Sequence, residues 1–331
     1  MPPVHSNAVR YSVLQPVKRR PPRRRRRALA LLLVTVALGA AAFLALRHVH
    51  SHTPPAAAAA RPAPKKHVLE PPKLLSTPTP PAQGSPTIGA RSGVLVDGTT
   101  GAVLWVKQPH ARRLIASTTK IMTATLVLER LPLDRVVTVP PAATREPLVR
   151  EGLRPNEKVP AWKLLDGLLI FSGNDDAYAL AAAVGETRRH FVTLMNEKAR
   201  ALGLGDTHFT SVSGVIDQGN HSSAWDLAAL TRYALRDPRF RKVVATRIAR
   251  VKWAAPTYGK VYVNKNHLLT TYRGADGVKT GWTTLAAHCL VASAHRGDRR
   301  LIVVLLHSLN PYPEARRLLN FGFGLRSGGH E

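Results

Sequence analysis

Cysteine and acidic residues are both scarce in this chain. Cys289 is the only cysteine among 331 residues, so no intramolecular disulfide forms and no zinc ribbon or finger is built from cysteine pairs. Asp and Glu number 20 against 48 Lys and Arg, a formal net charge of +28. No self-similar period of about 20 to 50 residues is present, which excludes a repeat array. Hydrophobic residues make up 44%, enough for a sizeable core, so full disorder is excluded as well.

The positive charge is unevenly spread. Residues 1–91 hold 15 Lys and Arg against one acid, Glu70, while residues 92–331 hold 33 against 19. The densest part, KRRPPRRRRR at 18–27, directly precedes an uncharged run from Ala28 to Leu46. At 1.5 Å per residue that run makes about 28 Å of helix, close to the thickness of a bilayer core. The basic flank predicts a cytoplasmic N-terminus (residues 1–27) and a chain that is outside after Arg47. Residues 28–46 are therefore expected to be a single-pass signal anchor. A signal peptide cut near Ala40-Ala41-Ala42 is the alternative, giving a secreted or periplasmic product. The anchor is favoured because the apolar run continues past those alanines. Residues 47–87, rich in Pro and Ala, read as an extended spacer. His48, His50 and His52 in this spacer have nothing rigid to arrange them around a metal, and no metal or other cofactor is expected.

Ordinary composition begins near Ile88 and continues to Gly324, with a short tail at 325–331. GVLVDGTTGAVLWV predicts two strands around a turn. Ser117 to Leu131 predicts a helix that Pro132 ends. AWKLLDGLLI and DDAYALAAAVG predict further helices, and SAWDLAALTRYAL another with Ser223 as N-cap. HCLVASAHRGDRRLIVVLLHS predicts a hairpin, and EARRLLNFGFG a closing helix. Strands at both ends with helices between imply one sheet built from both ends of the domain, with a helical layer on it. Cys289 is expected to be a buried strand residue without nucleophilic chemistry.

Three short segments carry chemistry. In Ser117-Thr118-Thr119-Lys120, helical spacing brings the lysine amine under the serine hydroxyl. A serine is a weak nucleophile until a base takes its proton, and lysine serves as that base only when neutral, as burial and nearby cations favour. In Ser172-Gly173-Asn174, before an Ala-rich helix, a hydroxyl can relay a proton and an amide can bind substrate. In Lys279-Thr280-Gly281, at the start of an apolar strand-like run, Lys and a hydroxyl can hold a carboxylate, and Gly lets a ligand backbone approach. Taken singly, each has an ordinary structural explanation as a helix cap, a loop or a turn.

Together and in this order they resemble the serine D-Ala-D-Ala carboxypeptidases, the low-molecular-mass penicillin-binding proteins of peptidase family S11. VLVDGTTGAVLW, LIASTTKIMTA, FSGNDDA, HFTSVSGVID, HSSAWDLAAL, NKNHLL, DGVKTGWT and LLNFGFG are similar to that family's blocks, so the likeness covers residues 90–324. It implies an α/β (α+β) fold of the β-lactamase/transpeptidase type, an antiparallel sheet flanked by a helical layer, over a catalytic domain at 88–324. By the same likeness Ser117 is the nucleophile, Lys120 its base and Ser172 the second catalytic serine. Asn174 holds the substrate's amide, and Lys279 and Thr280 bind its carboxylate, with Gly281 beside them. The backbone N–H groups of Ser117 and Trp282 form the oxyanion hole. The implied partners are peptidoglycan stem peptides as substrate, β-lactams as inhibitors, and a membrane through residues 28–46. Nucleic acid is not expected, since an anionic wall or membrane surface accounts for the basic excess.

Three departures from that pattern stand out. The sequence ends seven residues after Gly324, so anchoring is expected to rest on residues 28–46. SVSGVID lacks the usual Gly-Leu, and Trp282 is bulky beside the site. A DD-endopeptidase shares all three segments. A class A-like β-lactamase shares the fold and Ser117, but no Glu-bearing loop after FSGN offers its deacylating base. A non-catalytic wall-binding or β-lactam-sensing module has no need of Ser117, Lys120 and Ser172 together.

Overall fold

Apolar residues in successive strands alternate between two cores, and this decides the architecture. The computed structural model describes residue 74 and residues 84–215, 219–253 and 259–325. The basic N-terminus, the apolar run at 28–46, most of the spacer and residues 326–331 lie outside the described residues. Among the described residues no helix is long and apolar enough to cross a membrane.

The sheet has five strands: β1 (Ser92–Asp97), β2 (Val103–Lys107), β3 (Ala275–Thr283), β4 (Ala287–Arg296) and β5 (Arg299–Ser308), in the order β2-β1-β5-β4-β3. Every neighbouring pair is antiparallel. β1 pairs with β5 of the C-terminal hairpin, and β2 lies outside β1 as the other edge, so the sheet joins the two ends of the domain.

Val94, Val96, Val291, Ile302, Val304 and Leu306 pack toward one core. Leu95, Leu290, Ala292, Leu301, Val303 and Leu305 pack toward the other. This period of two is what a pleated strand imposes when both of its faces are covered. The first core is shared with helices α1 (Lys120–Arg130), α2 (Asn174–Gly185), α3 (Arg188–Ala201), α4 (Ala224–Ala234) and α5 (Pro238–Ala245). The second is closed by α6 (Pro311–Gly324) through Ala315, Leu318 and Leu319. The expected helical layer therefore has a counterpart on the opposite face.

Ser223 caps α4, its side chain accepting from the Asp226 N–H, as its sequence position predicts. Cys289 is buried in β4, its thiol 3.5 Å from the Leu114 carbonyl, and burial pushes it up to about 12.

The register then places the chemistry. Val94 pairs with Val304, Val304 with Val291, and Val291 with Lys279. Lys279 thus ends a cross-sheet row whose other members face the first helical layer. It stands on the edge strand β3, where that row meets the helices.

Candidate active site

Ser117 sits in a 3-10 turn (Ala116–Thr119) that leads directly into α1, so the helix proper begins at Lys120 and not at the serine. Its side chain is 8% exposed and lines a cavity of about 470 Å³ together with Leu148, Val149, Asn220, Trp282 and Thr283. Trp282 is 59% exposed at the mouth.

Lys120 is 0% exposed. Its Nζ lies 2.9 Å from Ser117 Oγ, 2.8 Å from Asn174 Oδ1 and 3.2 Å from the Ser213 carbonyl. Burial first, then the cations of Lys279 and Lys265, hold this amine well below the usual lysine value, against the opposing pull of Asp176 and Asp175. A neutral amine has two N–H donors and one lone pair. Asn174 Oδ1 and the Ser213 carbonyl can only accept, so they take the two donors. The lone pair is left for the Ser117 hydroxyl. Burial lowers the amine, and in its neutral form the lone pair faces Ser117, poised to receive the serine proton.

The second segment is built around a strained residue. Ser172 ends a π-helical turn (Gly167–Phe171) with φ +75°, a conformation few non-glycine residues adopt. Its Oγ accepts from Lys279 Nζ at 3.0 Å, which joins the second and third segments. Lys279 Nζ also donates to the Thr280 carbonyl at 3.0 Å. Burial, with Lys265 adding repulsion, lowers Lys279 to about 7. Thr280 is half-buried beside it.

Asn174 was expected to hold substrate. The structure engages both ends of its amide inside the protein: Oδ1 accepts from Lys120, and Nδ2 donates to the Pro147 carbonyl at 2.8 Å. Asn174 is buried and orients Lys120 through Oδ1, while its Nδ2 carries a second N–H besides the one given to Pro147. The reason for Gly281 also changes. A Cβ there would lie 2.9 Å from the Ser117 backbone N and 3.1 Å from the Ile115 carbonyl. The missing side chain lets β3 approach the serine turn, where a ligand backbone had been expected to be the close neighbour. Trp282, the next residue, lines the same cavity as Ser117.

Several contributors were not read as such from the sequence. The Ser213 carbonyl belongs to the SVSG loop, which Gly214 seats with φ +76° where a Cβ would be 2.0 Å from the Ala116 carbonyl. Asn220 fastens that loop, with Oδ1 accepting from Ser211 N–H and Nδ2 donating to Thr119 Oγ1. Residues 216–218 of the SVSGVID block lie outside the described residues. Lys265, in the NKNHLL block, supplies a further positive charge that acts on both Lys120 and Lys279.

Behind the Ser172 loop lies a buried acid group. Asp175 clips the segment before it, accepting from the N–H groups of Glu151, Gly152 and Leu153. Asp176 and Glu151 face each other: Asp176 Oδ1 and Glu151 Oε2 both lie within 2.5 Å of where a Gly167 Cβ would be. Neither Asp176 oxygen meets a donor, and nor does Glu151 Oε2. Glu151 Oε1 accepts from Lys260 Nζ at 2.7 Å and from the Tyr262 hydroxyl at 2.5 Å. Burial and the Glu151 charge drive the Asp176 carboxyl well above the usual range, so one proton serves the pair. Neither acid lines the cavity at Ser117.

Residues 79–310 match the family model described as D-alanyl-D-alanine carboxypeptidase, peptidase S11. This chain belongs to that family. It is 36% identical over 260 residues to the D-alanyl-D-alanine carboxypeptidase of Streptomyces sp. strain K15, covering 72% of this chain and 89% of the relative. It is 35% identical over 243 residues to carboxypeptidase DacF of Bacillus subtilis, covering 71% of this chain but only 62% of DacF. The crystal structure of the Streptomyces K15 DD-transpeptidase superposes with a TM-score of 0.69 at 36% identity, over 72% of this chain and 99% of that one. The S11 match spans β1, β2, the helical layer and the β4–β5 hairpin, so it includes every residue of the site described above.

Proposed function

We infer that this chain is a serine-type D-alanyl-D-alanine carboxypeptidase that trims the terminal D-Ala from peptidoglycan stem peptides and binds penicillins. One observation carries the reading: a fully buried Lys120 amine held by the Asn174 Oδ1 and Ser213 carbonyl oxygens and meeting Ser117 Oγ at 2.9 Å. That arrangement has one evident chemical use, which is to make a serine nucleophilic.

Ser117 Oγ attacks the carbonyl between the two terminal D-alanines as its proton passes to Lys120. The developing oxyanion is met by the backbone N–H groups of Ser117 and Trp282, at the positive end of α1. The terminal carboxylate is held by the Lys279 ammonium with the Thr280 hydroxyl, in a field to which Lys265 adds. As the tetrahedral adduct collapses, a proton reaches the leaving amine through the Ser172 hydroxyl, which Lys279 orients. Water then attacks the ester, Lys120 again acting as base, and Ser117 is restored. A β-lactam enters by the same route and leaves Ser117 acylated.

The Streptomyces K15 structure is named a DD-transpeptidase, and that name differs from this reading only in the acceptor of the acyl group. A β-lactamase reading is disfavoured because, among the described residues lining the cavity, none is a carboxylate that could activate water. The basic flank and apolar run at 18–46 support a single-pass anchor with the catalytic domain on the outer side of the membrane, where the substrate is.

The test is product analysis. Full-length protein in detergent is incubated with diacetyl-L-Lys-D-Ala-D-Ala and, separately, with dimeric muropeptides. Release of one D-Ala from the tripeptide, lost in Ser117→Ala, supports the reading. Cleavage of the dimers alone would replace it with an endopeptidase.

A further inference from the structure

Leu148 is held against two ordinary preferences at once. Its φ is +64°, a left-handed conformation that glycine or asparagine adopts readily and leucine does not, and the residue is 69% exposed. Its neighbours fix it there. Glu146 is buried just before it, and the Val149 carbonyl just after it accepts from the Asn174 backbone N–H at 2.8 Å. Leu148 lines the cavity at Ser117. Backbone strain kept together with an exposed apolar side chain, beside a nucleophile, points to a use at that place.

Two more large apolar residues stand exposed in the same cavity. Trp282 ends β3 one residue before Thr283, and Leu285 follows in the turn toward β4; they are 59% and 57% exposed. The turn is tied by the Ala286 N–H, which donates to Thr283 Oγ1 at 3.0 Å, and the Trp282 ring leans toward His288 with centroids 6.3 Å apart. Leu114 and Val149 extend the apolar lining. The Asn220 amide, also in the lining, is engaged within its own loop. None of the described lining residues carries a charge.

The position of the cavity tells which part of a ligand it meets. Ser117 and Trp282 line it, but Lys279, Thr280 and Ser172 do not. On the carboxypeptidase reading, on which this inference rests, Lys279 and Thr280 hold the terminal carboxylate. The cavity then lies on the acyl side of Ser117, from Trp282 toward Leu285. Thr283 is four residues along β3 from Lys279, about 13 Å at strand spacing, which is room for the residue that precedes the two D-alanines.

We propose that Leu148, Trp282 and Leu285 form an apolar wall for the side chain of the residue preceding the two D-alanines, and that this wall selects stem peptides whose side-chain amine is acylated over those whose amine is free. A free ammonium brought against three apolar side chains loses water and gains no partner. The positive charges of Lys279 and Lys265 oppose it further. An acyl group instead buries its carbons on the wall. The acyl side chain of a penicillin takes the same place relative to the reacting carbonyl and meets the same residues.

The test compares kcat/KM of the full-length protein in neutral detergent for three peptides: diacetyl-L-Lys-D-Ala-D-Ala, its analogue with a free ε-amine, and its Nε-succinyl analogue, which is acylated but carries a carboxylate. The diacetyl peptide is expected to exceed each of the others by about tenfold or more. Leu148→Asn suits the left-handed backbone, so its melting temperature should hold or rise while the diacetyl advantage shrinks at least about threefold. A leucine with only a structural role would lower the melting temperature and leave the ratios alone. Leu285→Glu should raise the relative turnover of the free-amine peptide. Acylation of Ser117 by benzylpenicillin and by carbenicillin, which adds one carboxylate to the same side chain, reads the wall without peptide hydrolysis, and benzylpenicillin should react faster. If no peptide is cleaved while that penicillin order holds and Leu148→Asn narrows it, the carboxypeptidase reading fails and the wall stands. The proposal is overturned if the free-amine peptide is cleaved as fast as the diacetyl one, or if Leu148→Asn leaves every ratio unchanged. It is also overturned if the succinyl peptide matches the diacetyl one, which would assign the selection to the lysine charges, or comes to match it in Asp217→Asn, a position outside the described residues.

Discussion

The Lys279 amine lies 3.0 Å from the Ser172 hydroxyl, both nearly inaccessible to solvent, on segments 107 residues apart. This contact ties the edge of the sheet to the strained turn of the helical layer. It also gives Lys279 two tasks, orienting Ser172 and presenting a positive charge, and the second depends on pH.

Lys279 is lowered to about 7, so near neutrality its charge is partly lost. The sign is set by the substrate: a peptide ending in a free carboxylate needs the ammonium form. We expect kcat/KM for such a peptide to fall as pH rises through about 7, the value of the free enzyme. A C-terminally amidated peptide should be a poor substrate without that alkaline fall. A profile that is flat or rising from pH 6 to 9 for the free-carboxylate peptide would contradict the assignment.

Asn174 Oδ1 orients the Lys120 amine. Replacing it with Leu removes an acceptor from the amine and a donor from the Pro147 carbonyl. Acylation is expected to slow by about 10²-fold or more, the range lost with a positioned acid–base group, and stability to fall by roughly 1–3 kcal/mol for the unpaired buried polar groups. KM for substrate should change little. A large rise in KM with unchanged kcat would restore Asn174 to substrate binding.

The Asp176–Glu151 pair predicts a stabilising substitution. Asp176 titrates higher in the folded chain than in the unfolded one, so the folded state holds more protons and stability falls as pH climbs from the unfolded carboxyl value toward the folded one. Asp176→Asn keeps the shape, ends that dependence and offers a donor to Glu151 Oε2. Its melting temperature should exceed that of the wild type at pH 8, with the gap closing toward pH 4. A lower melting temperature at pH 8 would show that the carboxylate is stabilised by contacts other than a shared proton.

The sequence was most informative where a residue's chemistry and spacing coincide. Ser117 and Lys120 are three residues apart in a helical turn, so their meeting follows from local geometry alone. The alternating strands β4 and β5 were legible from their apolar runs, and Ser223 from its place before a helix. What could not be read were groups whose role depends on tertiary approach. The Ser213 carbonyl is a backbone atom, and nothing in a residue name says which way it points. Glu151 and Asp176 are acids 25 positions apart that only folding brings together. Gly281 was read as making room for ligand because its real neighbour, the Ser117 turn, is 164 positions away in the chain. Helices α3 and α5 carry their apolar residues among many charged ones, and no motif drew attention to them.

The central claim is that a buried neutral Lys120 activates Ser117, and acylation by a labelled penicillin reads it most directly. Mass spectrometry of the full-length protein should find one adduct, on the peptide containing Ser117, absent in Ser117→Ala. In Lys120→Met, which keeps the volume but has no amine, the adduct should form at least about 10²-fold more slowly while the fold persists. Labelling of Lys120→Met at the wild-type rate, or an adduct on any other residue, would contradict the account.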